Sequence, residues 1–368
     1  MSIISLSASK CVRSLARESS CNKCELICPT EAIVVANNPL PSINFSACVG
    51  CGACDAICPS EALSLDNFSA SEFFFEFIDS DENLISCAKN VPCISALNVE
   101  YIISLAALKK EIVFDMGHCD SCAIAHKCKP QILKNYEEAN YVLEAMESQS
   151  KVTLEDVCYE AKEKEKLSNR REFFSSITLG NVAKAKHSFE SEVKRATDEL
   201  VEHTLQKEDI ALLRKKRITH RRKLLYSSIK RVQKPSTYHI IDANELSFTS
   251  AKLLDESSCT ACQMCYRVCP SGALSSDIKN SKIDFDPLLC IRCGICHDVC
   301  EPKSITLSGT YRVKEFFEPA VQNLVSFKVR RCDECNIIFS TNRDDKMCYR
   351  CKAEEEEARE LWGISEDM

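Results

Sequence analysis

No stretch of this 368-residue chain is apolar for long enough to cross a membrane. The longest apolar run, around residues 101–108, is interrupted and falls far short of the ~20 residues a span needs. The opening segment, Met1 followed by SIISLSASKCVRS, lacks the long apolar core of a secretory signal. The expectation is a cytoplasmic protein, or one held on a membrane complex through a partner, with no transmembrane segment. Nucleotide and nucleophile signatures are missing as well: there is no G-x-G-x-x-G, P-loop, G-x-S-x-G or flavin fingerprint. Nothing therefore points to a catalytic site carried by the chain itself. A net charge of −7 argues against a whole-chain nucleic-acid binder, and no nucleic acid is expected as partner.

What the chain has in quantity is cysteine: 26 residues, most of them in tight C-x-x-C or C-x-x-x-C groups. A disulfide scaffold fits this poorly, because such scaffolds are usually short and spread their cysteines along loops. Cysteines so close on the chain are awkward disulfide partners, whereas closely spaced thiolates suit a metal or a cluster.

The cysteines repeat. One run reads Cys259-Thr-Ala-Cys262-Gln-Met-Cys265-Tyr-Arg-Val-Cys269-Pro270, and a second reads Cys290-Ile-Arg-Cys293-Gly-Ile-Cys296-His-Asp-Val-Cys300-Glu-Pro302. Both have the spacing C-x2-C-x2-C-x3-C, and a turn with a short strand lies between them. Over about 50 residues this resembles the dicluster bacterial ferredoxins. The resemblance implies two [4Fe–4S] clusters in which the fourth cysteine of each run ligates the other cluster. One cluster then takes Cys259, Cys262, Cys265 and Cys300, and its twin takes Cys290, Cys293, Cys296 and Cys269. Pro270 turns the chain away after the fourth ligand. A pair of zinc sites is the alternative, and zinc ribbons do not use this eight-cysteine run.

A second, imperfect copy lies near the N-terminus. Cys48, Cys51, Cys54 and Cys58-Pro59 form a complete run, but the earlier half, Cys21, Cys24 and Cys28-Pro29, lacks its first cysteine. Cys11 is the candidate to replace it. By the crossing that the resemblance implies, Cys48, Cys51, Cys54 and Cys28 hold one cluster, and Cys11, Cys21, Cys24 and Cys58 the other. A three-iron or absent cluster, with Cys11 a buried thiol, is the alternative. The segments CPTEAIVV, CPSEALSL and CPSGALSS each read as a turn followed by an alternating strand.

Ten of the 26 cysteines remain. Residues 72–146 suggest a small α/β unit: FFFEFI and LISCA read as buried strands, NVEYIISLAALKK as an amphipathic helix and EIVFDM as another strand. Cys87 and Cys93 follow one expected strand end, and Cys119, Cys122 and Cys128 another, where a parallel sheet gathers ligands. Four of these five would hold an additional iron–sulfur cluster or a zinc ion, and His118 and His126 are further candidates. The alternative makes Cys93 a packed core residue. This layout is distantly similar, over about 50 residues, to small electron-entry subunits attached to heterodisulfide reductases and hydrogenases. Cys158 stands alone and reads as an ordinary thiol.

Residues 162–234 carry no cysteine, one glycine (Gly180) and heavy charge with helical periodicity, as expected of a helical connector. Within them Arg214, Lys215, Lys216, Arg217, Arg221, Arg222, Lys223, Lys230, Arg231 and Lys234 crowd together. The default reading is a solvated helix face, with a docking patch for an acidic redox partner or nucleic acid as alternatives. Asn169-Arg170-Arg171-Glu172-Phe173-Phe174 resembles a twin-arginine export motif, but such signals are N-terminal and a whole domain precedes this one. At the other end, Cys332-Asp-Glu-Cys335 and Cys348-Tyr-Arg-Cys351 resemble a zinc ribbon, four thiolates for one Zn2+, with mononuclear iron, a further cluster or no metal as alternatives. VSFKVRRC before them reads as a strand. KAEEEEARELW after them reads as an acidic helix that packs or docks through Leu361 and Trp362.

The expected fold class is therefore α+β: a dicluster ferredoxin-like module (1–70), a small α/β domain with a cysteine cluster (71–150), a charged helical connector (151–240), a second dicluster module (241–315) and a zinc-ribbon-like tail (316–368). Folding is expected to be coupled to cluster insertion, since such modules have little apolar core of their own. The architecture resembles polyferredoxin-like iron–sulfur subunits that travel with formate dehydrogenases and hydrogenases. That resemblance implies four [4Fe–4S] clusters relaying single electrons between such an oxidoreductase and another carrier. The alternative is a redox-sensing or assembly factor for an anaerobic metalloenzyme.

Overall fold

The computed structural model describes residues 4–35, 39–157 and 200–363; Cys158, the 169–174 motif and the connector up to residue 199 lie outside them. These residues divide into two units. The first comprises 4–14, 22–157, 200–214 and 219–237, and the second 15–21, 215–218 and 238–363.

In the first unit, β1 (Ile4–Leu6), α1 (Lys23–Ile27), β2 (Ile33–Val34), β3 (Ser42–Asn44), α2 (Ala53–Ile57) and β4 (Leu63–Leu65) make the N-terminal cysteine module. β1 pairs antiparallel with β4, and β2 with β3. Each C-P-x-x-A segment turns into one of these strands, so its cysteine and strand stay together. The helices are little more than one turn long, too short to persist alone. Their support is a shared core in which Ile4, Ile33, Ile43 and Leu63 pack against the cysteines. Chain reversal before α2 needs Gly52: its φ is +79°, and a Cβ there would meet Ala96 Cβ at 2.6 Å.

The FFFEFI segment is a helix, not the buried strand its apolar run suggests. It lies in α3 (Ala70–Asp79), where Ser69 caps the N-terminus by accepting from the Glu72 N–H at 3.2 Å. Phe73, Phe74 and Phe77 are buried and Phe75 is exposed, a helical periodicity masked in sequence by the aromatic run. Alternating strands and helices then follow, and the NVEYIISLAALKK helix, expected to be amphipathic, is buried without a break from Val99 to Ala106. β5 (Leu84–Ile85), α4 (Val99–Lys109), β6 (Glu111–Asp115), α5 (Ala125–Ala145) and β7 (Lys151–Glu155) give a parallel sheet ordered β5-β6-β7. Ile112 and Phe114 of β6 and Ile102, Ile103 and Leu105 of α4 are almost wholly buried. Beyond the undescribed stretch, β8 (Leu200–Val201) joins β3, and the helix His220–Ile229 packs on α4.

In the second unit the cysteine module recurs. β9 (Ile240–Asp242), β10 (Lys252–Leu254), β11 (Leu274–Ser275), β12 (Lys282–Phe285), β13 (Ile305–Leu307), β14 (Thr310–Arg312) and β15 (Gln322–Ser326) pair antiparallel as β10-β13, β11-β12-β15 and β9-β14. VSFKVRRC is split between two strands: β15 ends at Ser326, and β16 (Lys328–Arg331) starts a separate hairpin with β17 (Ile338–Thr341). The acidic segment forms the helix Tyr349–Trp362. Among the described residues no helix is long and apolar enough to cross a membrane.

Candidate metal and cluster centres

In the second unit, Cys259, Cys262, Cys265 and Cys300 line one cavity with Leu254, Ile283 and Ile305. Cys293 lies within electrostatic reach of Cys269, Cys290 and Cys296. The fourth cysteine of each run thus faces the three of the other. Burial pushes the Cys265 and Cys293 thiols well up and Cys296 to about 11. Ligation as thiolates would release these protons. Hydrogen bonds to sulfur set both orientation and electron affinity. The Leu274 N–H reaches Cys269 Sγ at 3.4 Å, and the Ser250 hydroxyl lies 3.2 Å from Cys290 Sγ.

In the first unit, Cys28, Cys48, Cys51 and Cys54 line a matching cavity with Ile33 and Leu65. Burial, then the neighbouring Cys51 and Cys48, drive the Cys54 thiol far up. The Ala32 and Ala62 N–H groups donate to Cys28 and Cys58 sulfurs at 3.2 and 3.3 Å, repeating the Leu274–Cys269 bond. Four buried or half-buried thiols around an apolar pocket fit a cubane in both modules. Cys11, half-buried, joins two short 3-10 turns and donates its N–H to Ala8 O at 3.2 Å. Cys24 lies in α1. Cys21 ends the 15–21 segment of the second unit, anchored there by Ser20, whose N–H and hydroxyl both donate to the Asp298 carboxylate at 2.9 and 2.8 Å.

The middle cysteines separate into two groups. Cys87 follows β5 and Cys119 follows β6, and each lies within electrostatic reach of Cys93 and Cys122. The loops that carry them are tied together: the Ser86 hydroxyl donates to Asp115 at 2.6 Å, and Asp115 accepts from the Gly117 and Val157 N–H groups at 3.0 and 3.1 Å. Cys128 is 2% exposed in α5 and belongs to the core of the N-terminal module. Its thiol lies within reach of the Cys51 and Cys93 sulfurs, and its hydrogen bonding holds Cys93 down at about 6 against its burial. His118 is half-buried with its Nε2 unpartnered, and His126 is exposed. No local pattern in the sequence signals that Cys128 reaches Cys51.

At the C-terminal end, Cys332, Cys335, Cys348 and Cys351 place their sulfurs within 4.8 Å of one another. The Cys335–Cys348 sulfurs are 3.8 Å apart. A tetrahedral ion with bonds of about 2.3 Å to sulfur separates its ligands by about 3.8 Å, so this group fits one zinc-sized ion. Burial pushes the Cys332 thiol up, but N–H groups of Cys335, Cys348 and Glu334 outweigh it and hold the thiol down at about 6.

Two buried charge clusters escaped the sequence reading. Arg221 and Arg222, read there as part of a solvated or docking face, are 4% and 1% exposed. Both pair with the buried Glu100 carboxylate, Arg221 at 3.0 Å and Arg222 at 2.5 Å. Arg221 also donates to the Ala56 carbonyl at 3.2 Å and to the Cys58 carbonyl. The second cluster is Lys252 with His297, in the core beside Cys296.

Comparison with known proteins agrees with this geometry. Residues 251–301 match the 4Fe-4S dicluster domain family, and residues 41–64 match the 4Fe-4S binding domain family. The chain therefore carries two ferredoxin-type iron–sulfur domains, the class of electron carriers and electron-carrying subunits. It is also similar to the pyruvate synthase subunit PorD of Methanocaldococcus jannaschii, 41% identical over 59 residues. That match spans 16% of this chain and 66% of the relative, a little under two thirds of its length. These likenesses support iron–sulfur electron transfer.

Proposed function

We propose that this chain is a polyferredoxin-like electron relay with four [4Fe–4S] clusters, serving an oxidoreductase of the pyruvate synthase, formate dehydrogenase or hydrogenase kind. The observation that carries it is the crossing of the fourth cysteine, Cys28 to the Cys48–Cys54 loop and Cys300 to the Cys259–Cys265 loop. When bound, each cluster takes up and releases one electron. Cys259, Cys262, Cys265 and Cys300 hold one; Cys269, Cys290, Cys293 and Cys296 a second; Cys28, Cys48, Cys51 and Cys54 a third; and Cys11, Cys21, Cys24 and Cys58 the fourth. The apolar linings exclude water, and the N–H bonds to Cys28, Cys58 and Cys269 stabilise the added charge. Cys87, Cys93, Cys119 and Cys122 offer a fifth site, and the C-terminal knuckle binds a structural zinc.

Anaerobic metal analysis tests this reading. About sixteen irons with matching sulfide and one zinc are expected, rising to about eighteen to twenty if the middle site is filled. Mostly zinc with little sulfide would overturn it. Replacing Cys11 with serine should lower the iron content to about twelve or produce a three-iron signal in the oxidised protein; an unchanged content would remove Cys11 from the ligands. A second reading, an assembly factor for a metalloenzyme, draws on the exposed Leu361 and Trp362 at the end of the acidic helix. It would show as binding to an apo-enzyme and absence from the mature complex.

A further inference from the structure

The second ferredoxin-type module carries a lysine inside its core. Lys252 opens β10 and is 5% exposed. Its Nζ lies 2.8 Å from His297 Nε2 and 6.0 Å from the centre of the Phe285 ring. The other imidazole nitrogen, Nδ1, is 3.1 Å from the Ile305 carbonyl, which only accepts, so Nδ1 carries the proton and Nε2 accepts from the ammonium. Lys252 also lies within electrostatic reach of the Cys296 sulfur. Among the described residues no carboxylate ion-pairs with Lys252.

The N-terminal module is built differently at this place. Lys252 pairs across the ladder with Leu307, and Ile4 pairs with Leu65. Leu307 and Leu65 stand at the same distance after the fourth cysteines Cys300 and Cys58, so Ile4 occupies the lysine's position. Likewise Asp55 follows Cys54 where His297 follows Cys296. The buried strand cation belongs to the second module alone.

We propose that the Lys252 ammonium raises the reduction potential of the centre held by Cys269, Cys290, Cys293 and Cys296, making it the electron sink of its module. The inference rests on the cluster assignment under Proposed function. Reduction adds one electron from a one-electron donor, with no bond made or broken and no proton taken up. The added negative charge is attracted by an unpaired cation in a medium of low dielectric, where water screens it little. Lys252 acts here through Cys296 as a positioning charge. His297 keeps the ammonium aimed without neutralising it.

The test is a dithionite titration of the full chain followed by paramagnetic resonance, on wild type and on Lys252→Met, Lys252→Gln and Lys252→Arg. In the Met and Gln variants one centre should become harder to reduce. Its reduced-to-oxidised ratio at a fixed potential should fall at least tenfold, a shift of about 59 mV, while the other centres stay put. The Arg variant should keep most of the wild-type value. If the Met variant loses the centre, the Gln variant carries the comparison. Unchanged potentials in the Met and Gln variants at full iron content would overturn the proposal, as would an Arg variant shifted as far as Met. A wild-type protein without iron and sulfide would overturn the relay reading itself, and with it this inference.

Discussion

Replacing Glu100 with glutamine should speed amide exchange in α4 by about 10²- to 10⁴-fold, the largest effect expected of any single change outside the cysteines. Glu100 is 2% exposed and holds two guanidinium groups that are themselves buried. Without the carboxylate, two buried cations lose the ion pairs they share with it, and breaking a buried pair in this way costs about 3–5 kcal/mol. Arg221 also bonds the Ala56 and Cys58 carbonyls, so the loss should extend into the N-terminal module. Removing one cation as well, in E100Q/R222M, should recover part of the stability, because less buried charge is then left without the Glu100 carboxylate. Hydrogen exchange is the suitable measurement, since bound clusters spoil a two-state unfolding curve. Wild-type exchange rates in E100Q would show that this charge cluster holds nothing together.

Replacing Cys348 with serine should release one equivalent of metal and unfold the segment from β16 to the end of the helix Tyr349–Trp362, while the iron content stays whole. The reason is the lack of a core: Ile337 and Ile338 are each 60% exposed, and Cys332, Ser340 and Thr341 are the buried residues of the hairpin. Metal binding supplies about 10–16 kcal/mol in knuckles of this kind, which is their folding energy. The hairpin also braces a cluster loop. Arg343 donates to the Ser257 carbonyl at 2.8 Å, and the Tyr349 hydroxyl bonds Glu301 at 3.1 Å, beside Cys259 and Cys300. C348S should therefore bleach faster in air at that centre. Limited proteolysis and zinc analysis check the first effect; a hairpin that stays protected without metal would refute it.

The cysteine modules were legible because their information is local. Three thiols at every third residue, a fourth after three more and a C-P turn into a strand fix both loop and ladder within about twelve residues each. The same holds for the C-terminal knuckle, whereas α4 and β6 were legible from their apolar runs alone, and the amphipathic face expected of α4 is absent because Val99–Ala106 are buried without a break. FFFEFI was misread because an unbroken aromatic run hides its period, and the cap at Ser69 is what decides it. What only the tertiary structure decided depends on partners far apart in the chain. Arg221 and Arg222 meet Glu100 more than a hundred residues away, Cys128 reaches Cys51, and Lys252 meets His297. Charge and thiol patterns carry no mark of burial, because burial is a property of what packs over a residue. The sequence by itself thus determined which closely spaced thiols and loops this protein has; the tertiary structure decided which charges those loops feel.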